Sequence, residues 1–595
     1  MTTLELDSGA ARRIVRLRDY LSAELEERAH EDTHRWIKRV RQLHVDGVPF
    51  RQRFTFRGDS LWWFAELYLH KTQAILNAMR TIAAVDALMD REAPRSIRVV
   101  DGDDGLLGPI AAARGIRLID GAPAGGSHER LEMRARALAM EARLSRVRAR
   151  AAPAGRAAIA AFIHRAFWRE EAEGESYIGP VLAAVESQLP PDSVSYVGVG
   201  PRRNFRARRW WQALLPDRGP LVAIERYSRS SKLEESAAVW RGRHEIQQAL
   251  CASDELRAHA EIRGCDCWHV VQGQLAGIAQ LQFPWSARAM DEAAAALDAL
   301  APSAAVTYAE AGGWGRALAL ECRRRQIPLA GVQHGFIYRH WLNYRHEADE
   351  MEPDAANPDD RGFPRPALTL LFDAYAKRHL RDAGHFPAES LRVTGSARLD
   401  ELIADVRRQT DADMPATRAA AGAADGQALI LLATKEREAA PYLEGIAEAV
   451  RAIPDAQLAV KPHPAETPDV YERLARAAPN VCILPSSFSL AAALAASRAV
   501  VTVNSTVAID ALAVGIPALV IGLPNNLSPF VDAGVMAGAR TTDEIRAALA
   551  RLLYDEEFRS QLARAAGPFV HQLRPADGPG AAARAARAIL DLARV

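Results

Sequence analysis

Residues 499–522, AVVTVNSTVAIDALAVGIPALVIG, decide the fold class. The β-branched run at 499–503 reads as a buried strand, and Asn504-Ser505-Thr506 closes it and opens a helix with hydroxyl-bearing residues at its start. Gly515 stops that helix, and IPALVIG supplies the next strand. Strand, turn, helix and strand in this order form a parallel βαβ unit. Working outward, the same grammar appears in TLLFDAYAKRHL, LRVTGSARLDEL, ALILLATKEREA, AQLAVKPHP and VCILPS, with 411–427 as an exposed loop. In the first half it recurs in SIRVVDGDDG with LLGPIAAARG and IRLID, in VSYVGVGPRRNFRARRWW, in AAVTYAEAGGWGRALALECRRR and in IPLAGVQHG. The expectation is an α/β protein built of two doubly wound halves facing each other. Residues 1–92 read as a helical extension, 93–345 as the first α/β domain and 346–366, acidic and proline-punctuated, as a linker. The second domain spans 367–575, and 576–595 ends the chain as an amphipathic helix.

The size and charge agree with that division. A chain of 595 residues is too long for one core. Its 75 basic side chains nearly cancel its 74 acidic ones, which excludes a globally basic nucleic-acid binder. Only six of the 75 are lysines, so a lysine at a strand end stands out against a background dominated by arginine. The five cysteines, Cys251, Cys265, Cys267, Cys322 and Cys482, form no CxxC pair. The Cys265–Cys267 pair reads as two small half-buried residues because no second ligand pair follows at zinc spacing. No apolar run is long enough to span a bilayer, and the first residues carry acids rather than a secretory stretch. The expected location is the cytoplasm, with peripheral contact to the inner membrane left open.

Chemistry concentrates in the second half. Lys461-Pro462-His463-Pro464 follows the strand AQLAV, and two prolines force the chain to turn at that strand's carboxyl end. Lys435 ends the strand ALILLAT, and Asn504-Ser505-Thr506 stands at a helix start, where backbone N–H groups and the dipole favour an anion. Lys435, Lys461, His463 and the hydroxyls thus sit on successive strand ends, a set suited to a nucleotide phosphate. Taken singly, Ser505 and Thr506 also read as helix caps, and His463 as a turn histidine.

Lys461-Pro462-His463-Pro464 followed by Asn504-Ser505-Thr506 resembles the HP and serine–threonine motifs of GT-B glycosyltransferases that use CMP-activated acidic sugars. These are the bacterial Kdo transferases of capsule and lipopolysaccharide synthesis and the related sialyl- and polysialyltransferases. The stretch 501–522 is similar to the Kdo-transferase version, and VTGSARLDEL, with Gly395, and GVQHG also fit; the resemblance covers about residues 300–540. It implies a GT-B fold, His463 and Ser505/Thr506 on the donor phosphate, and Asp510 near the ribose. CMP-Kdo is the first donor it implies and a CMP-nonulosonate the second, with a surface-polysaccharide or glycolipid acceptor. Neither a catalytic metal nor another cofactor is expected, since GT-B enzymes generally need none.

The catalytic group is left between two places. Asp103-Asp104-Gly105, after the strand SIRVV, resembles the acidic motif that supplies the base in sialyltransferases, although far more chain separates it from His463 than in compact members. The competing reading of that pair is a turn with a helix cap. Glu310, after AAVTYA and before two glycines, suits a base or a nucleophile, so inversion and retention of configuration both stay open. Gln333 and His334 end the last strand of the first half and are expected in the cleft, against the alternative of a histidine satisfying loop backbone. Arg202 and Arg203 head an arginine run that either meets an anionic acceptor or is a solvated face. Asp101-x-Asp103 and Asp411-x-Asp413 are triplets that arise easily by chance. The rivals are a UDP-sugar-using transferase or 2-epimerase, the epimerase disfavoured because Asn504-Ser505-Thr506 replaces an acidic glycine-rich loop, a CDP-glycerol or CDP-ribitol phosphotransferase, whose Ser-Asp loop is missing, and a non-catalytic scaffold of polysaccharide assembly. Oligomeric state is left open.

Overall fold

The computed structural model describes the chain apart from residues 1, 8–11, 103–104, 120–130, 133, 138–154, 170–173, 201–218, 230–231, 309, 411–412, 435, 463–468, 486, 574–578 and 595. Two all-parallel sheets organise it. The first has seven strands, which counted along the chain are Ile159–His164, Val194–Val199, Leu221–Ala223, Ala304–Tyr308, Leu329–Val332, Leu368–Leu371 and Leu391–Val393, in spatial order 3-2-1-4-5-6-7. The second has six: Ala428–Thr434, Ala456–Pro462, Val481–Ile483, Ala499–Thr502, Ala518–Ile521 and Ala537–Ala539, in order 3-2-1-4-5-6. Both are doubly wound Rossmann sheets, and together they give the GT-B architecture expected from the sequence. Their strands are buried on both faces, which is why they read as continuous apolar runs rather than as alternating ones.

The domain boundaries differ from the sequence reading in four ways. First, residues 1–92 are not purely helical. Thr3–Asp7 and Arg12–Arg16 pair with each other, and Thr3–Asp7 also pairs antiparallel with Ser96–Asp101, in a separate four-stranded sheet completed by Arg117–Ile119. SIRVV is therefore no strand of the first Rossmann sheet; strand–turn–helix grammar does not say which sheet a strand joins. The first sheet instead starts at Ile159–His164, inside a small-residue run that gave no separate sequence signal.

Second, 346–366 is no exposed linker, because the acidic residues that gave it that look are answered by buried cations. Glu350 is fully buried, and its Oε2 accepts from Lys38 Nζ at 2.5 Å. Arg41 forks onto Asp349 at 2.7 and 2.8 Å, and Arg51 meets Asp360 at 2.8 Å. Lys38 Nζ also donates to Glu66 Oε1 at 2.8 Å and lies 3.2 Å from His346 Nδ1, so the ammonium fills the space among three groups that could otherwise hold a cation. Arg316, likewise fully buried, closes the network at 3.5 Å from Glu66. This charge cluster ties helices Ala23–Val40 and Trp62–Thr72 to helix Gly313–Arg324 of the first domain. Trp62, Trp63 and Phe64 pack into the same core, each contributing about 2–3 kcal/mol by burial.

Third, Leu368–Leu371 and Leu391–Val393 complete the first sheet, although both lie beyond the boundary at 366. The chain crosses at Gly395, whose φ of +86° favours glycine, and helix Ala397–Arg408 already packs on the second domain. Fourth, the final helix Ala581–Ala593 returns to the first domain, against Ile159, Val181 and Leu182. Outgoing and returning segments are stitched together: Ala581 N donates to Asp400 Oδ2 at 2.9 Å and Arg584 Nε to Thr394 O at 2.9 Å.

Candidate functional site

In a doubly wound sheet, ligands meet the carboxyl ends of the strands where the order reverses, between strands 1 and 4. In the second domain this switch point lies between Ala428–Thr434 and Ala499–Thr502. Lys461 pairs with Ala433, and continuing the strand register one residue past Leu432–Val501 puts Thr502 level with Ala433 too. Two strand spacings then separate Lys461 from Thr502, about 10 Å. Lys461 is half-buried, donates to Pro485 O at 3.4 Å, and has its pKa lowered by desolvation. Asn504, Ser505 and Thr506 are half-buried at the same edge. Thr502 Oγ1 accepts from Ser505 N at 3.0 Å, and Ser505 Oγ accepts from Val507 N at 3.3 Å within the turn, while Thr506 stands at the N-cap of helix Val507–Ala513 without a side-chain capping bond. Asn504 Oδ1 is buried with no partner among the described residues. Lys435 and His463 lie outside the described residues, as do Asp103, Asp104, Arg202 and Arg203.

Two expected donor contacts are used otherwise. Asp510 is buried and receives Arg398 Nη2 at 2.6 Å, so its carboxylate joins helix Val507–Ala513 to helix Ala397–Arg408 rather than reaching a ribose. Burial raises its pKa, and Arg398 works against that. Gly395 is the crossing point described above. A Cβ there would meet Arg584 Nη2 at 2.8 Å and Ala581 Cβ at 3.0 Å, so this glycine serves the turn and the packed C-terminal helix.

The first domain's switch point lies between Ile159–His164 and Ala304–Tyr308 and is built from rings. A cavity of ≈ 380 Å³ there is lined by His164, Phe167, Thr307, Tyr308, Trp314 and His334, among others. His334 lies 5.3 Å from the Tyr308 ring and 5.5 Å, edge-on, from Tyr177. His164 N donates to Tyr308 Oη at 2.9 Å, and its Nδ1 accepts from Ala166 N at 3.2 Å, which puts the ring proton on Nε2. Burial pushes both His164 and His334 down to about 4, so each imidazole is neutral near pH 7.

His334 therefore lines a cavity within the first domain, whereas Gln333 and Glu310 do not line it. The Gln333 amide is spent on backbone, donating to Gly335 O at 2.8 Å and accepting from Phe372 N at 2.8 Å. Glu310 is 2% exposed and folds under Gly315 and Gly331, where a Cβ would come within 3 Å of it. Its Oε1 accepts from Tyr344 Oη at 3.0 Å, Oε2 has no partner among the described residues, and burial raises its pKa. Buried in this way, the Glu310 carboxyl does not line the cavity. Gly312 and Gly313, read as a turn beneath the carboxylate, instead start helix Gly313–Arg324, where a Cβ at Gly313 would meet the Trp285 ring at 2.6 Å.

The two switch points meet across the cleft: Tyr338, beyond the loop carrying His334, donates from Oη to Asn504 O at 3.4 Å. His164 and Tyr308 were missed in the sequence. The available signal was their position, each ending an apolar run of the strands that flank the switch point.

No family model matches the chain, and no curated protein matches it. Among solved structures it is similar to the UDP-GlcNAc 2-epimerase from Neisseria meningitidis bound to UDP-GlcNAc, with 13% identity over 73% of this chain and 98% of that one and a TM-score of 0.44. The UDP-N-acetylglucosamine 2-epimerase from Rickettsia bellii gives 13%, 73%, 95% and 0.39, and CalG4, the calicheamicin glycosyltransferase, 15%, 73%, 99% and 0.40. Similarities of this size carry no argument about the reaction.

Proposed function

We propose that the protein is a glycosyltransferase that moves an acidic sugar, Kdo first, from a CMP-sugar to a surface-polysaccharide or glycolipid acceptor. The observation that supports it is the second domain's switch point, where Lys461 and the Asn504-Ser505-Thr506 turn stand at strand ends two strand spacings apart, with Tyr338 of the first domain bonded to Asn504 O. In this reading the donor's cytidylate lies on the second domain. The acceptor hydroxyl enters from the first, and its oxygen forms a bond to the anomeric carbon as the bond from that carbon to the phosphate oxygen breaks. CMP leaves with the electron pair, stabilised by Lys461 and the Ser505 and Thr506 hydroxyls. The acceptor's proton passes to the neutral imidazole of His334.

The test is incubation of the purified protein with CMP-Kdo, CMP-Neu5Ac and UDP-sugars, with nucleotide release as readout. CMP release from a CMP-sugar supports the reading. Turnover of UDP-sugars alone removes the donor assignment, and absence of any nucleotide binding in calorimetry points to a scaffold.

A further inference from the structure

The helical layer ahead of the first Rossmann sheet forms one wall of a second cavity, of ≈ 370 Å³, within the range of ligand sites. Helix Ala23–Val40 contributes His30 and His34, helix Ala74–Glu92 contributes Arg80, and the loop after His334 contributes Tyr338 and His340. Opposite stand Asn504, Asn525 and Asn526 of the second domain, so the cavity abuts the same Asn504 that begins the phosphate-side turn.

The wall's charges are already answered. Arg80 pairs with Glu26, Arg339 with Glu27 at 2.7 Å, and Arg345 with Glu31 at 2.6 Å. What the wall leaves unanswered is a set of polar atoms: His34 Nδ1, His340 Nδ1, Arg80 Nε and Asn504 Oδ1 are buried without partners among the described residues. Each such group costs about 1–3 kcal/mol when left so. His34 is 7% exposed and has Nε2 3.1 Å from Glu347 Oε1, which draws the ring proton to Nε2 and leaves Nδ1 as an acceptor. Burial pushes both His34 and His340 down to about 2, so neither ring is a cation. Two neutral imidazoles, an amide oxygen and one guanidinium N–H mix acceptors with donors, which is what a polyol needs, because each of its hydroxyls both gives and takes a hydrogen bond.

We infer that this cavity holds the sugar ring of the donor, with His34 and Asn504 accepting from its hydroxyls and Arg80 Nε donating to its carboxylate. The N-terminal helices are then part of the substrate site rather than an accessory layer. This rests on the nucleotide reading above, and the experiment separates the two.

Calorimetry compares CMP with CMP-Neu5Ac and CMP-Kdo on the full chain. The wild-type protein should bind a CMP-sugar at least tenfold more tightly than CMP. Two variants fill the cavity from opposite walls: His34→Phe, and Asn526→Trp on the half-buried loop of the second domain. Each should bring the ratio within twofold while the CMP affinity and the melting temperature stay put. A wild-type ratio near one overturns the inference, as does a preserved tenfold ratio in either folded variant. Absence of CMP binding by the wild-type protein overturns the nucleotide reading itself, and this inference with it.

Discussion

The two Rossmann sheets share the strand order 3-2-1-4-5-6 through their first six strands but place opposite chemistry at the switch point. The second domain offers a lysine, hydroxyls and an amide, half-exposed and partly bonded to local backbone. The first offers two neutral imidazoles among tyrosine, phenylalanine and tryptophan rings, together with Lys71, and it buries the Glu310 carboxyl beneath the floor. Topology fixes where a ligand lands, and side chains fix which part of it. A diphosphate or monophosphate needs N–H and O–H donors, whereas a ring and its hydroxyl need flat surfaces and a proton acceptor.

If that division holds, mutations on the two sides act on different constants. The largest effect is expected from His334→Ala: acceptor-dependent kcat should fall about 100-fold, the usual worth of a positioned base, while CMP affinity changes less than twofold. Loss of CMP binding in this variant would break the division, because it would put the nucleotide on the first domain. Next is Lys461→Ala, which removes a charged donor from the phosphate side. It should weaken CMP binding by about 2 kcal/mol, roughly 30-fold, with the acceptor KM unchanged in steady-state assays. An unchanged CMP affinity would move the phosphate away from the Lys461 strand end.

Much of this was legible in the sequence, and the failures share a cause. Doubly wound architecture followed from apolar runs ending in turn residues, and Lys461 and Asn504-Ser505-Thr506 were placed correctly because proline and hydroxyl punctuation marks strand ends directly. Membership of a sheet is not local. Ser96–Asp101 and Leu368–Leu371 are both real strands, yet pairing with Thr3–Asp7 and with Leu329–Val332 puts each in a different sheet from the one expected. Nor does composition report burial. The acidic segment around Glu350 looked solvated because its partners Lys38, Arg41 and Arg51 lie about 300 residues earlier. Glu310 was given a catalytic role from its place at a strand end, and Asp510 a ribose contact from the resemblance alone, and neither signal reports the buried partners Tyr344 and Arg398.

The smallest effect is also the sharpest check on that last point. The raised pKa of Glu310 means that the folded protein holds its proton to a higher pH than the unfolded chain, which ionises it above about pH 4.3. Below that value the two states carry the same proton and the group adds no pH dependence. Above it the unfolded state gains by ionising, so wild-type stability declines as pH rises towards the folded pKa, by at most about 1.4 kcal/mol per unit. Glu310→Gln keeps the shape and the Tyr344 contact but has no proton to lose. Urea unfolding at pH 5 and pH 7 should therefore show the variant gaining on the wild-type protein by about 1 kcal/mol or more between the two, with nucleotide release unaffected. Parallel pH profiles would mean that Glu310 is ionised in the folded protein; loss of turnover in the variant would return it to the list of reacting groups, and with it a carboxylate to the ring-lined side of the cleft.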